Sequence, residues 1–432
     1  MSQQEKKVDI AIVGGGAAGL MAAVTAANEC TGKARKLSKP VTIAVLEGAA
    51  RVGKKLLATG NGRCNLTNTH MDVSHYYGDS CLIQPILEQY TPQSVMDSFL
   101  SLGLLCREED EGRVYPYNVQ AAAVLEILRR RLDDLQVEIL CDFSVASIQK
   151  TSSWFELLSN DGQAVLAKNV ILAFGGKASP QLGSNGSGFA LAQSLGHSVT
   201  PLFPALVPLK ATPERAKPLK GMRSAAVASL LADGKTVEKE MGEVQFTETG
   251  LSGICIFQIS RLVSEYFATH KICGKPCKSI EISLDLMPDY SKENIVDFLQ
   301  KTGKLFPNLP SFEMLAGLLN KRVGQEVMKH TLPQLTGKPV SALKAFQLCA
   351  VADTIKDFRF PVTGTMPWQN AQVTAGGVSL DEVDLTSMRS RKCDNLYLAG
   401  ELLNVDGDCG GYNLHWAWCS GIIAGRAAAQ NL

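Results

Sequence analysis

The sequence predicts an α/β fold: a Rossmann-like domain on a parallel sheet, interrupted by a β-rich insertion with a helical segment. Three observations point to it. An apolar run meets a glycine cluster and then small residues in Val8 to Ala23, VDIAIVGGGAAGLMAA. A second, β-branched run from Val41 to Leu46 ends in an acidic residue, Glu47. From about residue 199 to 370 the composition shifts to prolines, short alternating runs and amphipathic stretches, before an apolar strand and a small-residue helix return.

In the first stretch Gly14, Gly16 and Gly19 fit the G-x-G-x-x-G spacing, with Gly15, Ala17 and Ala18 between them. The glycines give a tight turn, close backbone approach to a diphosphate and close packing of helix on strand. The helix that starts there offers unpaired N–H groups and its positive end to an anion. Glu47 and the adjacent Gly48 stand where a carboxylate accepts hydrogen bonds from a ribose. Thr31 to Pro40, TGKARKLSKP, reads as a polar insertion that lengthens the gap before Glu47.

Arg51 to Asn68, RVGKKLLATGNGRCNLTN, carries many polar groups and is expected to be a loop outside the core. Lys54, Arg63, Asn65 and Thr67 supply charge and hydrogen bonds, and Gly62 admits close backbone, so the loop suits the polar middle of an extended ligand. Helices are expected over Leu82 to Gln89, over Thr91 to Leu102 with Thr91 as cap, and over Ala121 to Leu135. Val137 to Gln149, Trp154 to Leu158 and Ala164 to Ala173 read as three strands of a meander, the last running into Phe174-Gly175-Gly176. Val145, on the first of them, is expected against an adenine. The glycine-rich run Gly183 to Gly188 lacks a strand directly before it and is not a second nucleotide turn.

Ala225 to Ala232, Lys235 to Val244 and Ser279 to Leu286 read as strands of the insertion, and Phe246 to Gly253 as a loop. Ser291 to about Gly337 is helical in pattern, and Phe358 to Val362 returns to strand. Near the carboxyl end Asn395 to Gly400 is an apolar strand, followed by Glu401, the glycine loop Asp406 to Leu414 and a helix from Ala417 to Ala428. The resulting division is 1–198 and 371–432 for the nucleotide-binding domain, 199–290 and 346–370 for the β-rich insertion, and 291–345 for its helical part.

Composition excludes more than it identifies. A chain of 432 residues with a net charge of +1 has no global reason to bind nucleic acid. The basic clusters Lys33-Arg35-Lys36-Lys39, Arg129 to Arg131 and Arg389-Arg391-Lys392 have no interleaved aromatics. No apolar run approaches the ~18 residues of a membrane span. The polar start MSQQEKKVD and twelve scattered cysteines fit free thiols in a cytoplasmic protein. His270, Cys273 and Cys277, with Cys255 upstream, match no zinc spacing, so no metal is expected. His415 and Cys64 are the candidates for proton transfer or redox work.

Six blocks together carry a resemblance: VGGGAAG at 13 to 19, GKKLLATGNGRCNLTN at 53 to 68, FGGKASPQLGSNGSG at 174 to 188, FTETGLSG at 246 to 253, TAGGV at 374 to 378 and LAGELLNVDGDCGGYNLHWAWCSG at 398 to 421. Over essentially the whole chain they resemble the two-dinucleotide-binding-domain flavoproteins, and more closely the FAD-binding oxidoreductases that include BaiN-like and aminoacetone-oxidase-like proteins. The resemblance implies a β-barrel-like insertion and an extended FAD. Gly14 to Gly19 would meet its pyrophosphate and Glu47 its ribose, the loop from Lys54 to Asn68 would line the middle, and Ala173, Gly175 and Gly176 would lie alongside. Gly400, Glu401, Asp406, Gly407, Gly411, Tyr412, Asn413 and Leu414 would hold the ribityl chain and ring. It also implies a small-molecule substrate and transient reduction by NAD(P)H, because no second complete strand-glycine-acid unit is present. Glu248, Ile254, Asn404 and His415 stand where the family often has His, Pro, Asp and Gln, so the family's substrates do not carry over.

Overall fold

The computed structural model describes residues 6–33 and 40–432, and most of the insertion at 31 to 40 and of the first basic cluster lies outside them. Chain contacts divide the protein into two compact units, 1–203 with 372–432, and 204–371.

In the first unit, among the described residues, nine strands form one sheet. In chain order the strands are β1 (Lys6–Val13), β2 (Ile43–Leu46), β3 (Glu138–Leu140), β4 (Val145–Lys150), β5 (Phe155–Ser159), β6 (Ala164–Leu172), β7 (Val383–Asp384), β8 (Arg389–Ser390) and β9 (Leu396–Leu398). The spatial order is β7-β8-β9-β6-β1-β2-β3, and β4 and β5 extend from β6 as an antiparallel meander. Ile10 stands beside Ile43 of β2, and Val170 of β6 beside Leu396 of β9, both in parallel pairs. Ile10, Ala11, Ile12, Ala44, Val45, Ile171 and Leu172 are wholly buried, as continuous apolar runs in a covered parallel sheet should be.

One strand expectation needs correction. Val137 to Gln149 is two strands, not one: β3 pairs parallel with β2, the chain turns, and β4 starts the meander. The turn is fixed because Phe143 N donates to Glu47 O and Asp142 N to Ala49 O, so Val145 follows directly on the turn after Glu47.

Helices α1 (Ala17–Lys33), α2 (Ala121–Asp134) and α3 (Tyr412–Gln430) flank the sheet. The last starts five residues before the expected Ala417, and its first turn holds the candidate residues Tyr412, Asn413 and Leu414. α3 crosses α1 with backbones almost touching: a Cβ on Gly421 would stand 2.5 Å from Ala18 O, and one on Gly425 2.3 Å from Ala22 O. The four-residue spacing of these two glycines therefore sets the distance between the helices.

The second unit holds a closed barrel in the order Leu209–Ala211, Gly250–Ser252, Lys235–Phe246, Arg223–Ala232, Ile280–Asp285 and Phe358–Thr365. Period-two burial of Ala226, Ala228 and Leu230 turns one face of a strand inward. Three expectations change here. Part of the loop at Phe246 to Gly253 is the strand Gly250–Ser252. Ile254–Thr269, unassigned in the insertion, is a helix that buries Cys255, Ile256, Ile259 and Val263 at helical spacing. Ala345–Lys356, most of it assigned to the β-rich part, is helical and buries Leu348, Val351, Ala352 and Ile355.

Candidate functional site

The first unit gathers its glycine loops around the amino end of α1. Gly14 N donates to Leu46 O, and Gly14 lies at φ +110° where an added Cβ would be 2.3 Å from Ala173 O. Gly19 is packed equally tightly, its missing Cβ falling 1.8 Å from Gly14 O. Gly16 differs, for a Cβ there would meet nothing within 4 Å. The turn is therefore packed on its sheet side and open at Gly16, beside the first N–H groups of α1. Glu47 braces it: Oε2 accepts from Gly15 N at 2.8 Å and Oε1 from Ala49 N at 2.8 Å. Gly48 beside it is exposed.

A second loop, from far along the chain, closes on the same helix turn. Gly400 has φ +75°, and a Cβ there would be 2.8 Å from Ala18 Cβ. Gly400 N donates to Ser420 Oγ at 2.9 Å, and its carbonyl accepts from Trp416 Nε1 at 3.2 Å. The Glu401 carboxylate accepts from Thr374 N at 2.8 Å and from Lys55 Nζ at 2.7 Å. Gly176 borders Thr374 and Glu401, and Gly175 borders Ser184. Sequence reading singled out Lys54, but it is Lys55 that reaches Glu401, a pairing that the local sequence does not signal.

The polar stretch after Glu47 is not a loop outside the core. Lys54–Ala58 is a short helix, and Cys64, Asn65, Leu66, Thr67 and Asn68 are all buried. Their polar groups are satisfied from the other end of the chain. Asn68 Nδ2 donates to Gly410 O at 2.9 Å, Trp418 Nε1 donates to Leu66 O at 3.0 Å, and a Cβ on Gly411 would be 2.5 Å from Thr67 O. Arg63 is held by Glu109 and lies over the Tyr115 ring at 4.0 Å, while Gly62 beside it is exposed.

His415 and Cys64, the expected proton or redox groups, sit where neither exchanges protons with solvent. Both are wholly buried. A carbonyl can only accept, so His415 Nε2–H donates to Tyr90 O and Nδ1 accepts from the Thr67 hydroxyl. Burial holds this imidazole neutral, its pKa lowered to about 4. Burial likewise pushes the Cys64 thiol up to about 12, so the thiolate is not populated near neutrality. Both residues cement the junction rather than face its opening.

Asp406 and Gly407 form the strand Val405–Gly407, paired with Tyr76–Gly78. Asn413 clamps this strand, accepting from Gly407 N at 2.9 Å and donating to Gly407 O at 2.6 Å. Burial, and then the Asp408 carboxylate, raise the Tyr412 phenol to about 12. Among the described residues, two buried side-chain polar atoms have no hydrogen-bond partner: Asn65 Oδ1, against Gly411, and Ser184 Oγ, against Gly175. Orphans of this kind are rare in native folds.

No group of three or more His, Cys, Asp or Glu side chains able to hold a metal occurs among the described residues, and no disulfide joins the cysteines there. No helix there is long and apolar enough to cross a membrane. In the second and third clusters Arg130 pairs with Glu126, Arg131 with Asn28, Arg389 with Asp394 and Lys392 with Glu382.

A parallel sheet, a glycine turn at the first helix and an acid at the end of the second strand define a dinucleotide-binding Rossmann protein. Within that class, the family described as HI0933-like protein Rossmann domain matches residues 8–427, and the chain belongs to it. It is 38% identical over 424 residues to a 3-dehydro-bile acid delta(4,6)-reductase of Clostridium scindens, covering 98% of this chain and 99% of that protein. It is 28% identical to a ribosomal RNA dihydrouridine synthase of Escherichia coli, covering 99% and 98%. Among solved structures, the open conformation of a flavocytochrome c3 fumarate reductase aligns with a TM-score of 0.48 and 15% identity, over 98% of this chain and 78% of that one.

Proposed function

We propose that the protein binds FAD along the Gly14–Gly19 turn and the Gly400–Glu401 loop and reduces a carbon–carbon double bond conjugated to a carbonyl in a small molecule, with NAD(P)H as the transient reductant. The observation that carries the reading is the convergence of these two loops, from opposite ends of the chain, on Ala18 in the first turn of α1. The residues fit the cofactor: Gly16 leaves room for a diphosphate, and Glu47 stands ready to exchange its backbone partners for ribose hydroxyls. The orphaned Ser184 Oγ, beside Gly175, would gain a polar partner from the same ligand.

Bound FAD would supply hydride transfer, which side chains cannot. Gly14, Gly15, Gly16, Ala17, Ala18 and Gly19 would hold the diphosphate, with Gly48 and Val145 on the adenosine side. Ala173, Gly175 and Gly176 would flank the chain. The Lys55–Glu401 pair would keep the carboxylate oriented toward the ribityl hydroxyls, and the strand and helix turn from Asp406 to Leu414 would border the ring.

The names of two relatives support the reaction class, since a delta(4,6)-reductase and a dihydrouridine synthase both saturate carbon–carbon double bonds. The second name also favours an alternative, an RNA substrate. The local pairing of the arginine and lysine clusters and the higher identity to the bile acid reductase favour the small molecule. Purification should give a yellow protein that releases FAD on heating, and anaerobic NADH or NADPH should bleach it. A colourless protein, or a flavin that neither nucleotide reduces, overturns the corresponding part. RNA binding that weakens steeply with salt would establish the alternative.

A further inference from the structure

One titratable side chain at the border of the site is neither buried nor loosely held. His75 ends the short turn Val73–His75, which Asp72 caps through Ser74 N, and the next residues, Tyr76–Gly78, pair antiparallel with Val405–Gly407. The pairing continues one step further, where Asp408 N donates to His75 O at 2.9 Å. The side chains repeat the contact: His75 Nδ1 lies 2.9 Å from Asp408 Oδ2, and the Tyr77 hydroxyl donates to Asp408 Oδ1 at 3.0 Å. The imidazole stacks on the Tyr412 ring with centroids 4.4 Å apart and planes 21° from parallel. Asn413 fixes the backbone beneath by donating to Asp408 O at 3.2 Å. The His75 side chain nevertheless stays 36% exposed against 12% for Asp408, and its Nε2 makes no hydrogen bond among the described residues.

We propose that His75 is the proton-exchanging residue of this site, and that Asp408 is its positioning residue. Nδ1–H donates to the carboxylate, which leaves Nε2 pointing away from the pair, the arrangement that general acid–base work requires. The inference rests on the proposed function and deepens it. Reduction of a double bond conjugated to a carbonyl adds a hydride at the β-carbon and a proton at the α-carbon. The bound cofactor would supply the electron pair, and Nε2–H of His75 would give the proton and then recover one from solvent. Beside Asp408, the groups facing the ring are Asp72, Tyr77 and Tyr412, with Arg113 and Glu111 near Tyr412.

The test uses the FAD-loaded protein, its H75Q and D408N variants, and a 3-dehydro bile acid with 4,6 unsaturation as probe. Expected results are unchanged FAD content in both variants, a fall in kcat of about 100-fold in H75Q with little change in KM, and a smaller fall in D408N. The imidazole proton resonance of His75, assigned by its loss in H75Q, should change its chemical shift in D408N, and should change again when dithionite reduces the bound flavin. Turnover of H75Q within twofold of wild type with an unaltered pH profile overturns the proposal. If wild type does not consume the probe, the substrate reading fails by itself. The resonance then decides: a chemical shift that follows flavin reduction supports His75, and one indifferent both to reduction and to D408N overturns it.

Discussion

Two of the glycine loops that lead into helices, Gly14–Gly19 into α1 and Gly407–Gly411 into α3, look alike in sequence. Packing separates them. At the first, Gly16 faces open space and its neighbours pack on the sheet. At the second, the space is filled by protein: Gly411, at φ +108°, abuts Thr67 O, and Gly407 is enclosed by Tyr76, Tyr412 and Asn413. A glycine loop before a helix thus has two physical uses, one leaving room for a ligand and the other letting two chain segments meet.

Substituting each loop sharpens the distinction. Gly411→Ala adds a Cβ 2.5 Å from a carbonyl in a left-handed backbone conformation, and should cost about 4 kcal/mol of stability with or without FAD, read as a lower urea midpoint. Gly16→Ala should leave the melting of the FAD-free protein unchanged while weakening FAD binding tenfold or more, measured by flavin fluorescence. Equal loss of apo stability in both variants would erase the contrast.

The filled junction should also respond to acid. Folding holds His415 neutral, with a pKa of about 4 against 6.5 for the free side chain, so below about pH 6.5 the unfolded chain binds a proton that the folded one refuses. Stability should therefore fall by about 3 kcal/mol as pH drops through 6.5 and level off below about 4. His415→Gln, which keeps a donor for Tyr90 O and an acceptor for Thr67, should flatten that slope in urea titrations at pH 4 to 7. At the open loop a smaller effect is expected: Glu401→Gln weakens the partly exposed pair with Lys55 and should cost about 1 kcal/mol, seen as a modest Tm decrease and slower flavin loading. The least effect belongs to Cys64. Exposed Cys81 and Cys273 should react with a thiol reagent in the native state, while Cys64 reacts only on unfolding; native labelling of Cys64 would show that the junction opens.

The parts of the fold that repeat a local period were legible in the sequence. The apolar run of β1, the cap at Thr91 and the stripe of α2 need only their neighbours to be recognised, and the structure has them. The burial of Asn65 to Asn68 was not legible, because the groups that satisfy it, Gly410 O, His415 and Trp418, come from the other end of the chain. The helix Ile254–Thr269 was obscured by its β-branched and aromatic residues, although Cys255, Ile259 and Val263 keep helical spacing. In the site, glycines announced themselves through the turn they require, whereas Lys55, Thr374 and His75 did not. Their places depend on partners such as Glu401 and Asp408, which no local pattern names.

The close crossing of α1 and α3 bears on how the chain folds. The helix that would receive the diphosphate gains its packing partner from the far end of the sequence, as the Arg426–Glu29 contact across 397 positions illustrates. Such a long loop must close before this contact contributes, which favours slow, late assembly of the nucleotide half. During synthesis the Gly14 turn emerges from the ribosome long before α3 does. Cofactor capture is accordingly expected only once α3 has been made and has packed on α1, and an FAD-starved cell should accumulate α1 in its least protected form.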